Sequence, residues 1–272
     1  MAAAPITEAR ALESLLAFWA EAGVDAAYGE APMDRLAEGA RRLQPPPRPQ
    51  APRPSLAQSA PAPALPSDVA GAVAEARALA ATAQSLAELE AAIVAFDGCA
   101  LKFSGCARSV FARGNPQGPV MLIGEGPGAE EDAQGLPFVG RAGRLLDKML
   151  AAAGLTDRVF ITNTVFWRPP GNRTPSLQEQ AVCAPFLERA IELVNPQVLL
   201  LAGAASAKSV LKQSEGILSL RGRWFTWTGE TSGLSLPALP TLHPAFLLRQ
   251  PAAKKKAWAD LLALSGKLDH NI

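Results

Sequence analysis

The chain has 272 residues, with 26 Lys plus Arg against 25 Asp plus Glu. That balance excludes a protein held on nucleic acid by overall charge alone, though not one that grips a few phosphates locally. Hydrophobic residues at 49% suffice for a sizeable core, no apolar run is long enough for a membrane span, and three cysteines without a disulfide framework predict a reducing, cytoplasmic setting.

The first ten residues, MAAAPITEAR, lack a positive segment followed by an apolar stretch, so no secretory leader is expected. Residues 1–40 are predicted as an N-terminal helical segment. Ile6, Leu12, Leu15, Leu16, Phe18, Trp19 and Ala22 form a helical stripe over 5–29. That helix either docks a protein partner or packs on its own domain; the second is the simpler reading. Residues 41–67 are predicted as a linker, because nine prolines between 45 and 66 favour extended polyproline II over any core.

Residues 68–272 form the main domain. Positions 68–96 suggest one or two helices through Val69, Val73, Ala76, Leu79, Leu86, Leu89 and Val94. Short apolar strands are then expected at 120–123, 159–161, 198–201 and 239–242, alternating with helices near 141–153, 176–194, 204–213 and 253–265. A short alternating strand is expected at 224–227. Apolar strands between helices predict an α/β fold: a three-layer α/β/α sandwich around a four-stranded, mainly parallel sheet. Ligands of such sheets bind beyond the carboxyl ends of the strands. Those ends are Gly124 to Gly128, Asn163, Gly203 and His243.

The loop Gly124-Glu125-Gly126-Pro127-Gly128-Ala129 superficially matches a dinucleotide fingerprint. Glu130, Glu131 and Asp132 follow at once and would repel a pyrophosphate, and Pro127 lacks a cradling N–H. The glycines better suit close approach to a flat, neutral ligand. The acids are either functional or a helix-start turn favoured by the dipole. Phe138, between Pro137 and Gly140, is a stacking platform or ordinary core. Asn163 offers a donor and an acceptor to the edge of a base, or caps a strand end. Arg168 and Arg173 sit in a Pro-rich turn suited to phosphate. His243 is the one histidine outside the last four residues, and it either donates to developing negative charge or is structural. Leu247, Leu248 and Arg249 suit a wedge into a base stack beside a phosphate contact.

Three stretches together resemble family 4 of the uracil-DNA glycosylase superfamily. They are the loop from Gly124 to Asp132 with Gly135 to Gly143, then Thr162-Asn163 with Arg168 to Arg173, and His243-Pro244-Ala245-Phe246-Leu247-Leu248-Arg249. The resemblance covers about residues 95–265. It implies a monofunctional glycosylase of base-excision repair that flips uracil out of DNA and hydrolyses its glycosidic bond, leaving an abasic site. It further implies that Phe138 stacks on the uracil while Gly124, Gly126, Pro127 and Gly128 line the pocket. Asn163 would bond the base edge and His243 would stabilise the leaving anion. Glu131 first, then Glu125 or Asp132, would position water or offset oxocarbenium charge. Leu247 and Leu248 would fill the gap in the stack. Arg168, Arg173 and Arg249 would contact DNA.

The resemblance also implies a [4Fe–4S] cluster on four cysteines, and here the chain departs from it. The matching positions are Phe96, Cys99, Trp167 and Cys183, with Cys106 a stray thiol. Two aromatics in place of two ligands predict no cluster and no other metal. The partner is then uracil-containing DNA, bound by a monomer, with other deaminated bases left open. The competing readings are a non-catalytic binder of uracil-containing or abasic DNA, and a nucleotide-cofactor enzyme.

Overall fold

The computed structural model describes residues 69–269. The expected N-terminal helix and the 41–67 linker lie outside the described residues. Helix α1 (Val69–Thr82) and α2 (Leu86–Ala95) fulfil the helical reading of this region. Ser85 caps α2 by accepting from the Glu88 N–H at 3.2 Å. The buried face of α1 is Ala72, Ala76 and Ala80, which lets it lie close along α5 (Leu177–Val194).

The remaining elements are β1 (Ala112–Gly114), β2 (Val120–Gly124), α3 (Ala129–Gln134), α4 (Arg141–Ala152), β3 (Val159–Asn163), β4 (Val198–Ala202), α6 (Ala204–Leu211), α7 (Ile217–Leu220), β5 (Phe225–Thr228), β6 (Ser235–Thr241), α8 (Pro244–Arg249) and α9 (Lys254–Asp269). The sheet runs β1-β3-β2-β4-β6-β5. Its middle four strands are parallel, and they are the four the sequence predicts. The sheet has six strands rather than four, because β1 and β5 add antiparallel edges. β1 is three residues long and carries no apolar run to betray it. β6 begins at Ser235, earlier than expected, since Pro237 and Pro240 obscure its strand pattern.

Alternation along β2 divides the core into two layers, as side chains of period two must. Met121 and Ile123 face a cluster with Leu199, Leu201, Phe186, Ile191 and Ala76. Val120 and Leu122 face a second cluster with Leu200, Leu146, Leu150, Leu261 and Leu264. The sheet is thus covered on both faces, with the strand order reversing beside β2. Such a switch point opens a crevice at the carboxyl ends. Among the described residues no helix is long and apolar enough to cross a membrane.

Candidate active site

A cleft of about 800 Å³ opens at that crevice, lined by the strand ends and the loops after them. Gly124, the last residue of β2, pairs in register with Asn163, the last of β3. A Cβ at Gly124 would stand 2.4 Å from Asn163 Oδ1 and 2.5 Å from the Phe138 ring. Only glycine leaves room for both side chains at this point. Two hydroxyls pin the loop start: Ser206 Oγ donates to the Ile123 carbonyl at 2.6 Å, and Thr164 Oγ1 to the Glu125 carbonyl at 2.6 Å.

Asn163 is 1% exposed, and its Oδ1 is buried with no hydrogen-bond partner. An unpaired buried acceptor costs desolvation that nothing in the free protein repays.

Phe138 is buried, with φ at 55°, a left-handed conformation unusual for an aromatic. Two contacts hold it there. Arg113 on β1 donates through Nε to the Pro137 carbonyl at 2.7 Å and through Nη2 to the Phe138 carbonyl at 3.1 Å. Gly143 packs so tightly underneath that a Cβ there would lie 1.6 Å from the Phe138 carbonyl oxygen. The Phe138 ring lies beside the His243 imidazole, 5.6 Å between centroids and 30° apart.

His243 precedes α8, and its Nδ1 accepts the Ala245 N–H at 3.1 Å. That bond places the single proton of the neutral ring on Nε2. Burial pushes the imidazole down to about 4, with Arg249 adding to the depression and Glu131 opposing it. Near neutral pH the ring is therefore an uncharged donor.

The three candidate carboxylates separate. Glu131 is saturated by backbone: Oε2 accepts from Gly128 at 3.1 Å, and Oε1 from Val139 at 3.0 Å and Gly140 at 2.8 Å. It ties the glycine loop to the Phe138 loop. Asp132 is buried outside the cleft lining, accepting from Ala107 at 2.8 Å and Arg108 at 3.3 Å. Its placement removes it from the water-positioning group. Glu125 lines the cleft, and its carboxylate makes no hydrogen bond or ion pair with a described residue.

The DNA-contact candidates also divide. Leu247 is 0% exposed and packs with Leu242 and Ala257, so it is core and not a wedge. Leu248 is exposed, and Phe246 lines the cleft. Leu247→Ala is accordingly expected to cost about 2–5 kcal/mol in thermal or denaturant unfolding, and Leu248→Ala almost nothing. Arg173 lines the cleft but is paired bidentately with Glu179 at 2.6 and 2.8 Å, which holds that carboxyl below its usual range. Arg168 bonds Asn172 Oδ1 at 2.7 Å and stands outside the lining. Arg249 lines the cleft and is exposed. Lys208, on α6, lines it as well. Sequence reasoning passed over Lys208 because it lies outside the three motif loops, and passed over Arg113 because its partner is a carbonyl 25 residues away.

Cys99 and Cys183 are buried with their sulfurs 4.0 Å apart. Their mutual hydrogen bond lowers the Cys99 thiol, while that bond and burial raise Cys183. Phe96 and Trp167 sit at 1% exposure in the same buried cluster as both cysteines. Cys106 bonds the Lys102 carbonyl instead, at 3.3 Å. A four-thiolate cluster does not fit this donor set: two positions are filled by aromatic carbon. Among the described residues no three His, Cys, Asp or Glu side chains are grouped to hold a metal.

A sequence profile of the uracil DNA glycosylase superfamily matches residues 111–262. A type-4 uracil-DNA glycosylase of Thermotoga maritima is 42% identical over 142 residues, covering 52% of this chain and 71% of the relative. The enzyme of that name from Saccharolobus solfataricus is 39% identical over 153 residues, 54% of this chain and 70% of the relative. That from Pyrobaculum aerophilum is 38% identical over 152 residues, 54% and 76%.

Proposed function

The chain belongs to the uracil DNA glycosylase superfamily, and from that premise we propose that it is a monofunctional glycosylase that excises uracil from DNA. The observation that carries the reading is the unpartnered Asn163 Oδ1 at the base of the cleft. Uracil presents an N–H at N3 beside a carbonyl at C4, which complements the acceptor and donor of a side-chain amide. Cytosine presents the opposite order and would leave both partners unpaired. A base inside a duplex cannot reach this depth, so the nucleotide swings out of the stack to be read.

Phe138 forms one wall against the ring. As the glycosidic bond breaks, its electron pair leaves with the base and charge gathers on the uracil oxygens. His243 Nε2–H donates to O2 without needing a proton of its own to give away. Glu125, the cleft carboxylate without a partner, positions the attacking water and offsets positive charge on the sugar. Glu131 acts through backbone, holding two walls of the pocket in register. Water then adds at C1′ and gives up a proton, which passes by way of Glu125 to the uracil anion, leaving neutral uracil and an abasic site. Phe246 and Leu248 cover the gap in the stack, and Arg249 and Lys208 face phosphate. Hypoxanthine and xanthine carry the same N–H and carbonyl edge as uracil. Amide readout therefore does not reject them, and the cleft volume admits a purine.

The protein works without an iron–sulfur cluster. Anaerobically purified chain is expected to carry no stoichiometric iron and no visible absorption near about 400 nm, where thiolate-bound clusters absorb. Iron in stoichiometric amount would overturn this.

The reading is tested on a labelled oligonucleotide with a single uracil. Strand scission only after alkali or heat supports it. No abasic product on any uracil substrate defeats it.

A further inference from the structure

The first turn of α9 reads Lys254-Lys255-Lys256, with all three side chains exposed. Cations at a helix N-terminus oppose its dipole and one another, and no acidic residue in that turn offsets them. None of the three, nor Arg249, forms an ion pair with a described carboxylate. Asp260, one turn further on, is committed to Arg221 and to Thr241 Oγ1 at 2.7 Å. A local rule broken with no compensating contact marks a surface that serves something other than stability.

The position of this turn is fixed. Leu247 of α8 and Ala257 of α9 share one buried cluster, and Ala253 between them packs against it. Arg221 Nη2 adds a bond to the Lys256 carbonyl at 2.6 Å. The lysines are thereby held next to α8, whose Leu248 and Arg249 are exposed and whose Arg249 lines the cleft.

We infer that Lys254, Lys255 and Lys256 extend the Arg249 side of the cleft into a binding surface for the backbone phosphates of the DNA strand passing its mouth. Uncompensated, exposed ammonium groups suit phosphate, which fixes register without reading sequence. The inference rests on the glycosylase reading for the identity of its ligand. The global charge balance hides such a surface, because acids elsewhere on the chain cancel it in the sum.

The full-length Lys254→Gln/Lys255→Gln/Lys256→Gln variant tests it, titrated against a labelled undamaged duplex over a series of salt concentrations. The slope of log affinity against log salt is expected to become shallower by about 1 to 3, near 0.9 for each lysine on a phosphate. Uracil excision at saturating protein should be unchanged. The melting temperature should hold or rise, since repulsion at the helix start is relieved. Lys267→Gln, at the other end of α9, should change none of these. An unchanged slope overturns the inference, as does a fall in melting temperature without a change in slope. A wild-type chain with the lysine-dependent slope but no excision would sink the glycosylase reading and keep this surface. Excision by a wild type whose slope matches the triple variant would do the reverse.

Discussion

Asn163→Ala is expected to lower uracil excision by about a hundred- to a thousandfold, as for the loss of one oriented contact to the reacting base. The same substitution should leave the fold as stable as before, or stabilise it. Asn163 Oδ1 is buried and unpaired in the free protein, so the chain already bears its desolvation, and alanine removes that cost. A buried asparagine with a structural role behaves in the opposite way, since losing its hydrogen bonds would lower the melting temperature. Activity falling while stability holds is therefore the signature of an amide kept for a ligand. A destabilised but active variant would place Asn163 among structural residues and remove the base-reading role.

His243→Ala is expected to cost a similar factor, about a hundredfold or more, and its pH behaviour separates two mechanisms. A neutral donor needs Nδ1 free to accept from Ala245. The imidazole is held at about 4 by burial and by Arg249. Excision should thus show no break attributable to this residue between about pH 5 and 8, and should fall as pH drops through about 4. An inflection near 6.5, the ordinary histidine value, that vanishes in His243→Ala would mean the charged ring does the work. Stability follows the same sign. The folded value lies below the unfolded one, so the contribution of the neutral ring is complete above about 6.5 and is lost as pH falls from there through about 4.

The fold was legible wherever the chain repeats a simple rhythm. The four parallel strands are short apolar runs, and burial on both faces leaves such runs no other place. Of the antiparallel edges, β5 was legible as the alternating run expected at 224–227 and lies at Phe225–Thr228, whereas β1 was not. β1 carries one arginine and one glycine among its three residues, and only a side-chain contact 25 residues away explains Arg113. At the site, strand-end position alone was enough to expect Gly124, Asn163 and His243 near one another, because sheet geometry brings carboxyl ends together: Asn163 and His243 line one cleft and Gly124 abuts Asn163. Side-chain direction was not legible. Glu131 and Asp132 are neighbours in a three-acid run, yet one binds the backbone of the pocket walls and the other a loop outside them. Leu247 and Leu248 look interchangeable in sequence, and a helical turn of six residues sends one into the core and the other to solvent. Lys208 entered the cleft from a helix that no motif marked.

The most direct test of the central claim is the labelled duplex carrying one uracil, incubated with the full chain and divided three ways: untreated, alkali-treated and borohydride-treated. The account predicts breakage at the uracil position only after alkali, and no protein–DNA adduct with borohydride, the role proposed for Lys208 being phosphate contact and not imine formation. Binding to that duplex with no alkali-labile site under any condition would contradict it and leave a chain that recognises uracil without removing it.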